Sequence, residues 1–460
     1  MWCVIGLCLL VISGYAVAAG LAREASRLEV AALALCMGPA IIGFCLILLS
    51  MLGIRPARLE ILAIAAVFAA AGIAVHRFRR VKPEPKSRSE PTPSWWIIIC
   101  CVAIGYGFMA VAIDALLYPV IEWDAFAIWQ LKAKVLAIYP LYPQPGYFTN
   151  LSLSYSHLRY PLLVPMISAA MHAMTGRLDD LGKTVALLFY PGMELAVFAA
   201  VRRINGNTAA LTATALLAGV EPLCRYGGSG TAEMAITAFY ACSLLCILRW
   251  RENRDRGFLV LAAIFSAWMA WTKNEGLALA AINAIVVAAS GSRARRRNSL
   301  LAGAIFVGIV AAIYLPWILY SWGLPRTDED YAGRLASPQI FSNLGRLGTI
   351  LTGFGQELID WEHWGLFWII AAGLALAEWR RFKNPQIAAI GILLALHLVA
   401  YMPAFLITNW NLEELMSVTL DRLLMHAAPA GAILIGALWP AWVGGTAGSK
   451  TGISLSGHRP

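Results

Sequence analysis

The chain has 460 residues, 60% of them hydrophobic and only 13% charged, with a mean hydropathy of +0.68. This balance excludes a soluble globular domain, and the lack of alternating strand patterns excludes a β-barrel. The net charge of +10 sits in short clusters between apolar runs, which points to the lipid bilayer as partner and to no nucleic acid.

The chain therefore reads as an all-α integral membrane protein. In chain order the apolar runs predict helices over 2–20, 30–53, 59–76, 95–120, 182–201, 206–223, 231–250, 258–272, 276–291, 300–320, 364–379, 386–405 and 427–444, about 13 transmembrane helices of the length needed to cross roughly 30 Å of hydrocarbon. No basic residue precedes the first, so it is read as a retained helix rather than a signal peptide. Basic clusters at Arg23 and Arg27, Arg77 to Arg88, Arg202 and Arg203, Arg249 to Arg256, Arg293 to Arg297 and Arg380 to Lys383 mark the cytoplasmic side and put the N-terminus outside. A Pro/Ser/Lys linker over 81–94 divides three N-terminal transmembrane helices (1–80) from a main module (95–320) and a C-terminal group of helices with outer loops (321–460).

One segment resists this scheme. The run "PLLVPMISAAMHAMT", Pro161 to Thr175, is short and contains Pro165 and His172, so it is read as a re-entrant or interfacial helix. The consequence is a long extracytoplasmic loop over 121–181, with further outer regions at 321–363 and 406–426. The nine cysteines lack metal-type spacing and read as packing residues, and His157 and His172 do not form a ligand pair. The acidic run Asp328 to Asp330 reads as a solvated loop face.

Ionisable groups collect at the outer helix ends, where each needs a partner or a task. In "YPVIEWDAFAIWQLKAKVLAIYP", Tyr118 to Pro140, a helix over 123–138 puts Trp123, Gln130 and Lys134 on one face and Asp124 roughly 100° round, beside Ile128, Leu131 and Val135. A carboxylate on that apolar side suits a general base; equally, Asp124 suits the first helical turn, where the dipole favours an anion. Lys132 and Lys134 are placed near lipid head groups. Lys273, in "WTKNEG", reads either as a snorkelling lysine paired with Glu275 or as a cationic seat for a lipid phosphate. Arg422, in "DRLLMH", has the same two readings with Asp421 as its local partner, and Glu233 either starts a helix or meets an acceptor or a divalent metal.

Taken in order, "EWDAFAIWQLKAK", "YPLLVP", "RRINGNTAALTATALLAGVEPL", "GTAEMAITAFY", "WTKNEGLAL" and "DRLLMHAAP" resemble the polytopic lipid-linked-sugar transferases of the GT-C fold. The closest branch is that of protein O-mannosyltransferases, aminoarabinose transferases and Rgt-type lipopolysaccharide glycosyltransferases. The resemblance implies a GT-C-like catalytic module over 95–320, with Asp124 as catalytic base or acceptor-binding residue and Glu122 as its competitor. It puts Glu233 at the second acidic position and Lys273, Arg422 and Arg159 at the donor phosphate. A divalent cation, Mg or Mn, serves some relatives. It further implies transfer of a sugar from a polyprenyl-phosphate donor to an envelope acceptor (glycolipid, polysaccharide or protein), with inversion, on the periplasmic or exterior face of the inner membrane. Two other classes fit the composition: a secondary transporter or flippase, which would carry its charges at mid-membrane, and a polysaccharide polymerase or ligase, which would rely on outer arginines.

Overall fold

The computed structural model describes residues 1–78, 92–291, 296–326 and 339–440; the linker expected over 81–94 and the acidic run at 328–330 lie largely or wholly outside them. Among the described residues there is no strand, as an all-α membrane protein requires. Among the described residues nine helices are long and apolar enough to cross a membrane, and four shorter apolar ones, Leu163–Thr175, Arg256–Thr272, Glu275–Ala289 and Phe367–Ala377, accompany them. The all-α membrane architecture is as expected, but the expected count of about 13 transmembrane helices is not reproduced: nine helices among the described residues have spanning length.

The first four long helices are α1 (Trp2–Leu21), α2 (Arg27–Met51), α3 (Arg58–Phe78) and α4 (Ser94–Leu117). A capping box starts α2: the Ser26 hydroxyl accepts from the Glu29 amide at 3.2 Å, and the Glu29 carboxylate accepts from the Ser26 amide at 2.7 Å. After the outer segment come α5 (Gln130–Ile138) and α6 (Leu163–Thr175).

The next element, α7 (Ala186–Ala218), is continuous by hydrogen bonding but folds back on itself at Asn205 and Gly206. A Cβ on Gly107 of α4 would lie 2.2 Å from the Tyr190 hydroxyl and 2.5 Å from the Ala218 carbonyl; in a straight helix those two residues would be about 40 Å apart. The arms are the two helices expected over 182–201 and 206–223. Gly206 makes the reversal at φ 82° and ψ −177°, a conformation essentially reserved for glycine, so Gly206→Ala should lower stability by about 1–3 kcal/mol, read as a lower Tm in detergent.

The chain continues through α8 (Glu221–Gly227), α9 (Glu233–Asn253), α10 (Arg256–Thr272), α11 (Glu275–Ala289), α12 (Arg296–Ser321) and the helices Pro385–Leu406 and Leu412–Leu438. The last begins well before the span expected at 427–444. Asn411 caps it by accepting from the Glu413 and Glu414 amides at 3.0 and 3.2 Å, so much of the expected outer loop at 406–426 is helical. Hydropathy alone missed these turns because they carry the exposed Glu413, Glu414 and Ser417, with Asp421 and Arg422, partnered inside the protein, further along.

Three of the expected basic clusters meet at one end of the bundle. Arg249 pairs with Glu29 at 2.8 Å and donates to the Glu24 carbonyl; Arg203 pairs with Glu252 at 2.7 Å; Arg251 donates to the Pro385 carbonyl at 2.8 Å; Arg381 reaches the Trp439 carbonyl at 3.4 Å. Helix α6 stays in the opposite half. Its Leu163 and Ile167 face Gly43, its Met171 and Met174 face Gly6, and the Arg58 Nε donates to the Met174 carbonyl at 2.9 Å. It is a non-spanning helix buried almost throughout, in keeping with its short run and its proline.

Candidate active site

At the end of the bundle away from the basic clusters, residues far apart in sequence converge. Asp124 stands at the start of a π-helical turn, Ala125–Trp129, which runs into α5. Such a turn re-aims the side chains at its edge, and it carries Ala125, Ala127, Ile128 and Trp129 into the core while Asp124 stays about a third exposed. There the Arg422 Nη1 donates to the Asp124 carboxylate in a very short ion pair. Asp124 thus faces a guanidinium rather than the apolar surroundings that a regular helix over 123–138 implied.

Arg422 is held from several sides. Its Nη2 donates to the Val418 carbonyl at 2.8 Å, and its guanidinium lies 5.9 Å from the Tyr226 ring centroid. Asp421, the expected neutraliser of Arg422, is engaged otherwise: it accepts from the Tyr226 hydroxyl at 2.7 Å and from the Arg422 backbone amide at 2.7 Å. Tyr226 is a site residue that sequence reasoning missed; the signal was the Glu-Pro pair at 221–222, which opens the short helix α8 carrying it.

Behind this pair lies a second one. Glu233, at the first position of α9, is fully buried, and its Oε1 accepts from the Lys273 ammonium at 3.1 Å and lies 3.9 Å from the Arg422 Nη1. Lys273, between α10 and α11, also meets Glu275 at 3.5 Å. Burial alone would lower the ammonium's pKa; Glu233 and Glu275 outweigh it and raise it, so Lys273 stays charged. The lysine expected as an open phosphate seat is therefore closed off by two carboxylates, of which the remote Glu233 is the nearer.

The remaining expected residues separate. Glu122 pairs with Arg225 at 3.6 Å, and both side chains are roughly a third to a half exposed. An exposed pair of this kind is worth less than about 1 kcal/mol; accordingly Glu122→Gln should leave any Asp124-dependent activity within about threefold of the parent, measured as kcat. Arg159 is half-buried near Tyr314 of α12 and has no hydrogen bond or ion pair among the described residues. Lys132, expected at the lipid head groups, is fully buried, donates to the His157 carbonyl at 2.5 Å and lies over the Tyr160 ring.

On the solvent side of α8, Glu221 has its pKa raised by burial, which Arg225 and His363 offset only in part. His363 bonds Glu357 at 2.8 Å. Among the described residues no three His, Cys, Asp or Glu side chains converge as a metal site. Glu233 and Asp124 each face cations, so the donor set does not fit the Mg or Mn ion that some relatives use.

A family model described as dolichyl-phosphate-mannose-protein mannosyltransferase matches residues 159–320. No curated protein sequence matches the chain. Two solved structures are similar in backbone course. One is the oligosaccharyltransferase AglB from the archaeon Archaeoglobus fulgidus, in complex with an inhibitory peptide and a dolichol-phosphate: 13% identity, TM-score 0.47, covering 75% of this chain and 50% of that one. The other is ArnT from Cupriavidus metallidurans bound to undecaprenyl phosphate: 18% identity, TM-score 0.47, covering 76% of this chain and 60% of that one. The chain thus spans half to three fifths of the length of these structures. Over residues 159–320 it resembles the dolichyl-phosphate-mannose-protein mannosyltransferases, as its ordered motifs implied.

Proposed function

We propose that the protein is a membrane glycosyltransferase that moves a sugar from a polyprenyl-phosphate carrier to a hydroxyl-bearing acceptor at the bundle end opposite the basic clusters. The observation that carries this reading is the contact between Asp124 and Arg422, a carboxylate and a guanidinium brought together from opposite ends of the chain. The family resemblance over 159–320 supports the donor class.

The acceptor hydroxyl lies against Asp124 as its oxygen attacks the anomeric carbon from the face opposite the phosphate. A bond forms between that carbon and the acceptor oxygen, the carbon–phosphate oxygen bond breaks with inversion, and the hydroxyl proton passes to the Asp124 carboxylate. The phosphate leaves with the electron pair, and Arg422 turns from Asp124 toward the growing charge. Arg159, which has no carboxylate partner to give up, is the second phosphate contact. Lys273 acts through Glu233, holding the counter-charge that keeps Arg422 in place.

The acceptor is an envelope glycolipid, polysaccharide or protein, and the site opens to the exterior or periplasm of the inner membrane. Removing the protein from its cells should lighten one envelope glycolipid or glycoprotein by a sugar residue, read by mass spectrometry; an unchanged envelope alongside lost uptake of a solute would favour a transporter instead. With purified protein in liposomes, Arg159→Ala should raise the KM for the lipid-linked donor about tenfold, as the loss of one charge-assisted contact predicts. An equal rise for the acceptor would remove Arg159 from the phosphate.

A further inference from the structure

Gln130 is almost fully buried, at 4% exposure, and is the first residue after the π turn that begins at Asp124. Its Nε2 donates to the Gly230 carbonyl at 2.9 Å and to the Ser168 hydroxyl of α6 at 3.4 Å. Gly230 has φ 90° and lies in the turn that delivers Glu233 to the head of α9. One amide group therefore ties the Asp124 turn to the Glu233 turn.

The other end of the same side chain is unsatisfied. Gln130 Oε1 is buried without a hydrogen-bond partner, and so is His172 Nε2 on α6. The two atoms flank Gly182, where a Cβ would fall 2.9 Å from the first and 2.8 Å from the second. His172 Nδ1 lies 3.0 Å from the Arg177 carbonyl, which can only accept, so Nδ1 carries the proton and Nε2 of the neutral ring is an acceptor. Burial lowers the His172 pKa, consistent with a neutral ring. Two buried acceptors thus flank a glycine packed so closely against them that no side chain fits between. The next residue, Lys183, is wholly buried and pairs with Asp114 of α4 at 3.2 Å, which anchors this turn to the bundle.

We propose that Gln130, through its hydrogen bonds to Gly230 and Ser168, is a positioning residue that sets Asp124 in register with Glu233 and Arg422. It touches neither donor nor acceptor. The inference rests on the glycosyltransferase reading for its kinetic consequence but not for its structural one, so the two can be tested apart.

The test uses the full chain in lipid nanodiscs and two variants, Gln130→Met, which keeps length and burial but removes the hydrogen bonds, and Gly182→Ala, whose methyl would press on the Gln130 and His172 side chains and displace them. Gln130→Met should lower kcat for sugar transfer about 10- to 100-fold with little change in donor KM, since a displacement near 1 Å at the reacting groups costs that much. Amide hydrogen exchange should quicken over 124–132 and 228–233 and stay as in the parent over α1 to α3. Gly182→Ala should show the same pattern more weakly, and it carries the test if Gln130→Met does not fold. Parental kcat and exchange in both variants would overturn the proposal, as would exchange quickened evenly over the whole chain. If the parent protein transfers no sugar yet exchange quickens only over those two segments, positioning stands and the glycosyltransferase reading falls.

Discussion

On the proposed glycosyltransferase reading, replacing Asp124 with asparagine should lower sugar transfer by about 10²- to 10⁴-fold, the range that a positioned general base contributes, and leave the abundance and membrane insertion of the protein unchanged. The amide keeps the size of the carboxylate and can still accept from Arg422, but it cannot take the acceptor's proton. Folding should tolerate the change because Arg422 retains the Val418 carbonyl at 2.8 Å and the Glu233 carboxylate at 3.9 Å, so no buried cation is stranded. The measurement is single-turnover transfer by purified protein in liposomes, with an equal amount of folded protein checked by gel filtration. Parental activity in Asp124→Asn would remove Asp124 from the chemistry. Near-parental activity in Glu122→Gln beside a dead Asp124→Asn separates the two carboxylates that the sequence alone left in competition.

Lys273→Met destabilises the fold, by about 3–5 kcal/mol, because it leaves a buried carboxylate without its main counter-ion. Glu233 is fully buried with Lys273 at 3.1 Å, its Oε2 already lacks a partner, and the one other cation beside it among the described residues, Arg422, stands farther off at 3.9 Å and is paired with Asp124. Adding Glu233→Gln to that variant should recover most of the loss, since the uncompensated charge then disappears with its partner. Thermal unfolding in detergent reads this as a large fall in Tm for the single variant and a smaller one for the double. A Lys273 that served only as a phosphate seat would behave otherwise: the single variant would keep its Tm and lose donor affinity. Stability and transfer measured on the same preparations distinguish these outcomes.

The stretch from Tyr118 to Pro140 shows how far periodicity carries. A helix after Trp123 is legible from its apolar spacing, and Asp124 and Glu122 stand out as ionisable groups at a membrane edge. The π turn at Ala125–Trp129 was not legible, since one extra residue in a turn leaves no mark in a run of Ala, Phe, Ile and Trp. With the register altered, Lys132 went to the core and Gln130 to a buried hydrogen-bonding position, where head-group lysines and a polar face were expected. The last helix shows the same limit: residues 412–426 read as part of an outer region, although the helix runs through them and Tyr226 and Asp124 satisfy its Asp421 and Arg422 inside the protein.

By itself the amino-acid sequence determined that this chain is helical and membrane-embedded, because apolar run length and the spacing of basic clusters follow directly from the thickness of hydrocarbon and the cost of charge within it. It determined as well which ionisable residues collect at one end. The tertiary structure alone decided how they pair. Asp124 with Arg422, Lys273 with Glu233 and Gln130 with Gly230 are contacts between distant segments, set by the packing of helices whose polar groups must find one another where water is scarce. No local pattern encodes such a choice: the Arg422 guanidinium turns to Asp124 rather than to the adjacent Asp421, and Lys273 lies closer to Glu233 than to neighbouring Glu275.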